Sequence, residues 1–529
     1  MSTPQSIIHI CSGVRLDPRY VHSIYFANKT AQQEYFAGKV VKTFPAYSYL
    51  RKSWPLQVEA TMEQAKTWTY LYFQNGTGKM YYYFITQIQY KNDNTVELSL
   101  ELDVLQTYLF DFELLDCFVE RQHTETDGIG EHTIEEGLDV GELVDNVAYH
   151  CPNLQDKCIL VLATINPNYA DTEKPIQAMA GMYNSTFSGL KVWAVDSAKW
   201  AKWGNQIDAL SEAGFLDGII AMWMYPSAMV TLGGENTWDD AILCKTVDRA
   251  SNVTFSLPYS ATPATVDGYT PRNKKLLCYP YNFLYLTNNL GGTAVYRYER
   301  FESFDHPEFT VVGALSPEGA VKIYPKAYNG LDNYDQGLTL GNFPTCAWDS
   351  DVYKMWLAQN QNQMIAQGAT AGVSIAAGIA STVASAATGN VAGIIGGVTA
   401  MANGATQIGN ILAQKADMAI QPPQSKGSFS SNVNMTANRH TFSFIQKSVS
   451  AETAKILDDY FTMYGYKINR VRKPNIHARD AFTYVKTVGC QIKGTMCTED
   501  MVKIESIFDQ GVTFWANGDK VADYTQTNN

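Results

Sequence analysis

The chain has 529 residues, well past the roughly 250–300 at which one hydrophobic core stops growing, so a single small binding module is excluded. Apolar residues make up 46% of the chain and charged residues 17%, which excludes an intrinsically disordered protein. The formal net charge is -12, so a broad basic surface that wraps nucleic-acid phosphates is excluded as well.

The cysteines favour a protein made in a reducing compartment. There are nine, an odd number, and they are scattered without CxxC pairs. This pattern predicts reduced, buried thiols and synthesis in the cytosol. The first residues, Met1–Ile10, lack a basic region followed by an apolar stretch, so we expect no secretory signal. The nine are Cys11, Cys117, Cys151, Cys158, Cys244, Cys278, Cys346, Cys490 and Cys497.

Residues 1–150 are predicted to form mainly β-strands. The clearest run is Met80–Tyr90, which is rich in aromatic and β-branched residues, and Thr95–Leu102 alternates apolar and polar side chains. The polar residues Lys91–Asn94 between these runs suit a turn. This order predicts an antiparallel β-meander.

From about Cys158 the pattern changes to a mixture of helix and strand. Ile159–Ile165 is a continuous apolar run of strand length, and Asn205–Ala213 has helical character and is followed by a glycine. We therefore expect an α/β domain over residues 151–265. A Pro, Gly and Thr-rich stretch at Pro258–Pro271 closes this region.

Strand-like sequence returns after this region. Leu276–Thr287 and Ala294–Phe301 again show aromatic and β-branched runs, which predict strands over residues 266–353. The α/β domain is therefore expected to be an insertion into a β domain, which resumes again over residues 426–529.

The last hundred residues contain two predicted helices. The first begins after the N-cap candidate Ser450 and ends near Gly465, and the second begins at Thr498 and ends at Gly511. A strand at Val512–Trp515 is expected next. The predicted core residues of the helices are Ile456, Leu457, Phe461, Ile504, Ile507 and Phe508.

The strongest anomaly in the sequence is a segment without charged residues. Between Lys354 and Lys415 there is no Asp, Glu, Lys or Arg, although average composition would place about ten in a stretch of this length. Its centre, Ile365–Leu412, is rich in Ala, Gly, Ile and Val and divides into two arms, Ala369–Ala387 and Val391–Leu412. Each arm has about the length of a bilayer span.

Two interpretations of this segment, which we bound at 354–425, stay open. It is either a Gly/Ala-rich connector or packed helical hairpin, or a segment that penetrates a membrane conditionally. Ser, Thr and Gly occur throughout, so permanent insertion is not expected, and the polar borders favour the membrane interpretation slightly. The residues predicted to insert are Val373, Ile375, Ile379, Val383, Val391, Ile394, Ile395, Val398, Met401, Ile408, Ile411 and Leu412.

Motifs for catalysis and metal binding are missing from the sequence. It has neither a phosphate loop nor an HExxH or metal-spaced Cys/His cluster, so we expect no catalytic residue, no metal and no cofactor. The acidic cluster from Glu131 to Glu142 is typical of a solvated loop rather than of the carboxylate pair of a cell-wall hydrolase. The basic stretch Lys467–Lys473, continuing to Arg479, either contacts DNA or phosphate or pairs with acidic loops between subunits, and we favour the second.

The two ends of the chain carry long, uncommon motifs. They are ELDVLQT at Glu101–Thr107, EEGL at Glu135–Leu138, YGYKINRVRKPN at Tyr464–Asn475, AF and YV within Ala481–Val485, and IFDQGVTFW at Ile507–Trp515. In order and spacing they resemble the tail knob, or distal tail tube, proteins of small short-tailed phages that infect Gram-positive bacteria. The uncharged segment lies at the corresponding place in that family, whereas residues 151–265 match poorly.

This resemblance implies a mainly β protein with an α+β insertion, whose β-barrel-like tube domains form a homohexameric ring at the tail tip. Residues 1–150 and 426–529 would form the tube domain, 151–265 the knob insertion and 266–353 the return of the chain. The apolar segment 354–425 would plug the lumen and be expelled to form a pore in the host membrane.

The resemblance also implies a location and partners. The protein would be made in the host cytoplasm and reside in the virion, beside collar, tail-tip or wall-degrading proteins. Its other partners would be the host cytoplasmic membrane and double-stranded DNA, which passes without specific binding. Two alternatives are a receptor- or wall-binding tail appendage and a wall-degrading tail enzyme.

Overall fold

The chain passes four times between two structural units, both built mainly from β-strands. The first unit comprises residues 1–142, 264–281 and 449–529, and the second comprises residues 143–263 and 282–448. The computed structural model describes residues 5–48, 55–75, 78–151, 154–163, 182–183, 186–187, 191–212, 219–230, 232–238, 241–244, 253–256, 264–304, 306–317, 319–331, 333–347, 437 and 439–528.

Strands and helices are numbered here along the whole chain. The helices are α1 (Lys29–Ala37), α2 (Met62–Ala65), α3 (Val104–Tyr108), α4 (Trp200–Glu212), α5 (Ala451–Tyr464) and α6 (Thr498–Gln510). The strands of the first unit are β1 (Gln5–Ser12), β2 (His22–Ile24), β3 (Val40–Ser48), β4 (Leu56–Glu59), β5 (Trp68–Gln74), β6 (Met80–Asn92), β7 (Thr95–Leu102), β8 (Phe112–Leu114), β9 (Cys117–Gln122), β26 (Tyr466–Arg472), β27 (Phe482–Val488), β28 (Ile492–Gly494) and β29 (Val512–Trp515).

The strands of the second unit lie between β9 and β26 in the chain. They are β10 (Leu143–His150), β11 (Lys157–Ala163), β12 (Met182–Tyr183), β13 (Thr186–Phe187), β14 (Lys191–Asp196), β15 (Ile219–Pro226), β16 (Leu232–Trp238), β17 (Ala241–Cys244), β18 (Val253–Ser256), β19 (Asn282–Thr287), β20 (Thr293–Tyr296), β21 (Glu308–Gly313), β22 (Val321–Pro325), β23 (Leu338–Leu340), β24 (Thr345–Ala347) and β25 (Ser443–Val449).

A six-stranded antiparallel sheet dominates the N-terminal part of the first unit, in the order β3-β1-β5-β6-β7-β4. The predicted meander is confirmed, because β5, β6 and β7 pair in succession and β7 spans Thr95–Leu102. Buried Val96 and Leu98 alternate with more exposed residues and direct one face of β7 to the core. The two edge strands approach each other, since Lys42 Nζ on β3 donates to the Glu59 carbonyl on β4 at 2.6 Å.

The second sheet of this unit brings the two ends of the chain together. Its order is β2-β29-β27-β9-β26, with β2 parallel to β29 and the other pairs antiparallel. Helix α6 packs on β27, and the two sheets share one hydrophobic core that includes Phe36, Trp68, Phe508 and Trp515. The N-terminal and C-terminal residues therefore fold as one unit.

Both C-terminal helices occur where the sequence predicts them. Helix α5 begins after Ser450, whose hydroxyl oxygen accepts a hydrogen bond from the Thr453 N–H at 3.3 Å. The helices end at Gly465 and Gly511, both of which have positive φ values that favour glycine. The strand predicted at Val512–Trp515 is β29.

One predicted core residue of these helices was wrong. Leu457, Phe461 and the three residues named on α6 are buried, but Ile456 is 65% exposed. At 3.6 residues per turn, Ile456 lies about 100° from Leu457 around the helix axis and faces away from the core. Among the described residues, six cysteines form no disulfide bond and are buried, as predicted, whereas Cys497 is exposed; the six are Cys11, Cys117, Cys151, Cys158, Cys278 and Cys490.

In its described residues, the second unit has three larger sheets and one short hairpin. The first has the order β16-β17-β14-β11-β15-β24, the second β10-β25-β19-β20 and the third β18-β21-β22-β23, while β12 pairs with β13. Its hydrophobic core includes Leu160, Trp223, Tyr296, Phe309 and Phe444, which come from all three larger sheets. Helix α4 begins five residues before the predicted start.

Two strand predictions were too long. Within Leu276–Thr287 only Asn282–Thr287 is a strand, because Pro280 lacks the N–H that a central ladder position donates. Within Ala294–Phe301 the strand ends at Tyr296, and a 3-10 helix occupies Tyr298–Arg300. Aromatic residues predicted burial in both places better than they predicted strand length.

Candidate functional site

The twelve residues predicted to insert into a membrane all lie outside the described residues. Described residues border the uncharged segment on both sides, with β24 before it and Arg439 and His440 after it. None of the helices in the described part of the chain combines the length and the apolar character needed to cross a bilayer.

Described residues that precede and follow the segment contact each other inside the second unit. His440 Nε2 is 2.9 Å from the Gly341 carbonyl oxygen, and the imidazole packs edge-on against Phe343 with ring centroids 4.7 Å apart. Buried Lys157 donates from Nζ to the His440 carbonyl at 3.1 Å and also to the Leu154 carbonyl. Residues on either side of the segment are therefore held together by hydrogen bonds.

Burial determines the charge states of His440 and Lys157. Desolvation lowers the pKa of His440 to about 4 and the pKa of Lys157 to about 8. His440 is therefore neutral at pH 7, and its Nε2–H donates to the Gly341 carbonyl. Its Nδ1 atom is buried without a hydrogen-bond partner among the described residues.

The motifs at the two ends of the sequence meet in the first unit around Glu136. The Glu136 side chain is fully buried and pairs with Arg121 and Lys275, which are also mostly buried. Its Oε1 atom accepts the Lys467 N–H at 3.0 Å, and Arg121 Nη1 donates to the Gly465 carbonyl at 2.7 Å. The expectation that this acidic loop is simply a solvated surface was therefore wrong for Glu136.

A second buried carboxylate connects α5 to residues 264–281. Asp458 accepts hydrogen bonds from the Tyr269 hydroxyl at 2.8 Å, from the Arg272 and Asn273 N–H groups at 3.0 Å and from Asn273 Nδ2 at 2.8 Å. Burial alone would raise the pKa of Asp458, but these hydrogen bonds hold it below its ordinary value. The sequence contained no local signal for this contact.

The predicted basic cluster lies at an edge of the second sheet. Strand β26 pairs with β9 on one side only. Lys473 pairs with Glu113 at 2.7 Å, and Arg479 donates to the Thr124 and Asn528 carbonyls. Much of the cluster therefore makes contacts within its own chain.

Three other cations of the cluster line a cleft of about 430 Å³. They are Lys467, Arg470 and Arg472, and the opposite wall is formed by the loop that follows β9. His132 of that loop stacks on Tyr466 with ring centroids 4.4 Å apart, and the Tyr466 hydroxyl donates to Asp127 at 2.7 Å. The sequence indicated the cations but not the cleft, because its two walls are more than 300 residues apart in the chain.

Comparison with known proteins supports the resemblance over the whole chain. The gp9 tail knob proteins of Bacillus phages B103 and phi29 are 27% identical over 591 aligned residues and 26% identical over 599, with 98% of each chain covered. The tail knob protein gp12 of bacteriophage C1 shares the fold, with a TM-score of 0.69 at 16% identity over 98% of both chains.

Family models match both ends of the chain. The model described as the Caudoviral major tail protein N-terminus matches residues 4–113. The model of the C-terminal domain of Bacillus phage phi29 tail knob protein gp9 matches residues 245–529, which is more than half of the chain. The chain therefore belongs to the family of phage tail knob proteins that includes gp9 of phi29.

Proposed function

We propose that this chain is a structural protein of the phage tail tip that assembles as a homohexameric conduit for genome ejection. The observation that carries the proposal is the end-to-end similarity to tail knob proteins. The protein would be made in the host cytoplasm, reside in the virion, contact other tail proteins and have no enzymatic activity.

The first unit is the proposed tube domain. Its six-stranded sheet has edge strands that approach each other through Lys42 and Glu59, which supports a barrel-like arrangement. A net charge of -12 favours a lumen that does not hold the DNA, because like charges repel and the duplex can slide.

The uncharged segment is the proposed membrane-active part. Its apolar residues would aggregate if they were exposed to water, so we propose that they are covered in the assembled ring and inserted into the host membrane after release. In lipid the backbone must satisfy its own hydrogen bonds, so the two arms would become helical, with glycines at close helix contacts.

Liposome leakage tests this role. Ile379→Asp with Ile395→Asp places one charge in each arm, at a cost of about 2.5–3.5 kcal/mol per residue near a bilayer centre. We expect dye release from liposomes to fall sharply while the mass of the assembly stays unchanged.

The matched control carries the same kind of change at exposed positions. Ile456 on α5 and Val502 on α6 are 65% and 57% exposed. The Ile456→Asp, Val502→Asp variant should therefore release as much dye from liposomes as the wild type does. Undiminished leakage by the Ile379→Asp, Ile395→Asp variant would show that the segment is a plug or connector without a membrane role.

A further inference from the structure

We propose that the cleft beside β26 binds successive phosphates of a phosphodiester polymer. This site is additional to the proposed conduit and membrane roles. The cleft lies entirely within the first unit, between the outer strand of the second sheet and the loop over residues 122–134.

A β-bulge shapes the basic wall of the cleft. The pairing of β26 with β9 shifts register between Lys467 and Arg470, and Asn469 at the bulge has a φ of +47°. Ile468, within the register shift, is buried, and beyond it Arg470 and Arg472 are exposed at the sheet edge. The bulge therefore coincides with the change from a core-facing strand to a solvent-exposed basic edge.

The two acidic residues that line the cleft accept hydrogen bonds from neighbouring groups of the same chain. Glu131 accepts hydrogen bonds from the Thr126 hydroxyl at 2.8 Å and the Gly128 N–H at 3.0 Å, and these lower the pKa of its carboxyl. Glu125 accepts from Asn475 Nδ2 at 3.0 Å. Neither carboxylate forms an ion pair with the opposite basic wall.

The cations of the cleft have no such partners. In the part of the chain that the structure describes, the side chains of Lys467, Arg470 and Arg472 pair with no carboxylate. Lys473, a neighbouring cation of the same cluster, does pair with a carboxylate, that of Glu113. The cleft therefore combines two carboxylates that accept from neutral donors and keep their charge with three cations that form no ion pair, which leaves an excess of one positive charge for an external anion.

The spacing of the two arginines suits a repeating anion. Residues two apart on a strand project from the same face, with α-carbons about 6.6 Å apart. Each guanidinium can donate two parallel hydrogen bonds to phosphate oxygens. Arg470 and Arg472 can therefore engage neighbouring phosphates of one polymer, with Lys467 as a third positive charge.

The acidic loop of a second copy is a weaker candidate for this cleft. Glu136 is buried against Arg121 and Lys275 of its own chain, and Glu131 is held by its own loop. These two carboxylates are not free to reach another subunit, although Glu142 of the same acidic cluster is exposed. We therefore place phosphate ahead of the inter-subunit pairing that the sequence suggested, and a poly-glutamate probe tests the carboxylate alternative.

Binding to labelled polymers tests the proposal with the full-length, assembled protein. The probes are a DNA duplex, a poly(glycerol phosphate) chain and poly-glutamate of equal charge, measured by fluorescence anisotropy. For at least one phosphodiester probe, Arg470→Ala with Arg472→Ala should weaken binding at least tenfold. Loss of two phosphate contacts on a duplex should also reduce the slope of log K against log salt by about 1.8.

The control removes two exposed cations elsewhere in the same unit. Lys455→Ala with Lys493→Ala changes the net charge equally and should bind like the wild type. Duplex binding alone would identify DNA as the source of the phosphates, and glycerol phosphate binding alone would identify a surface polymer.

Two results would overturn the proposal. One is equal binding of both phosphodiester probes by the wild type and the arginine variant, and the other is poly-glutamate binding that is as tight as theirs. The arginine variant should still form the assembly and leak dye normally, so failure here is distinguishable from failure of the conduit proposal.

Discussion

His440 is a buried imidazole in a contact between described residues that precede and follow the uncharged segment. Its Nε2–H donates to the Gly341 carbonyl, and Lys157 Nζ donates to the His440 carbonyl oxygen. Burial lowers the pKa of His440 to about 4, below the value of about 6.5 in an unfolded chain. Between these two values the unfolded chain binds more protons than the folded chain, so stability decreases as the pH falls through this range.

This pKa shift predicts acid sensitivity of the second unit. The lowered pKa of His440 makes the free energy of unfolding smaller by about 2 kcal/mol at pH 5 than at pH 7.5. His440→Gln keeps an N–H donor for Gly341 without the titrating ring, so its urea midpoint should fall less than that of the wild type between pH 7.5 and 5. The exposed His306→Gln variant is the control and should follow the wild type. Identical pH dependence of wild type and His440→Gln would contradict this account.

At the level of single residues, the sequence predicted local roles better than distant contacts. Ser450 was predicted as a helix cap because the oxygen and the N–H it binds are three residues apart. Asp458 and Glu136 bind groups more than a hundred residues away, and nothing in the neighbouring sequence indicates those partners.

Three separate elements converge on Glu136. Arg121 comes from β9, Lys275 from a 3-10 helix and Lys467 from β26, so one carboxylate joins segments that are far apart in the sequence. A buried ion pair is a poor source of net stability, but removal of one partner leaves an uncompensated charge.

This arrangement predicts a large cost for Glu136→Gln. Two buried cations would lose their counter-charge, so the free energy of unfolding should fall by about 3–5 kcal/mol in urea titrations. Glu142→Gln removes an exposed carboxylate nearby and should change stability by less than about 0.5 kcal/mol. Equal effects of the two substitutions would show that the ion cluster is unimportant for the fold.

At the level of elements, turn residues, helix caps and the alternation of apolar and polar side chains were sufficient to predict strands and helices formed by contacts between neighbouring residues. The β6–β7 hairpin and helices α5 and α6 follow from turn residues, caps and apolar spacing. The order of strands within each sheet did not follow, because pairs such as β2–β29 join residues that are almost a whole chain apart.

For the whole molecule, the terminal motifs predicted the family and the mainly β fold. They also join distant parts of the chain, since Trp515 on β29 pairs with Ile24 on β2 and the Gly465 carbonyl accepts from Arg121. The cleft beside β26 could not be predicted, because it requires the β-bulge and the loop after β9 to be adjacent.

Electron microscopy with mass measurement tests the conduit most directly. One chain has a mass of 58.8 kDa, so the proposed hexamer has a mass of about 353 kDa. At micromolar concentration we predict sixfold rings with an open axial channel and a mass near that value. A stable monomer of about 59 kDa, or particles without an axial channel, would contradict the account.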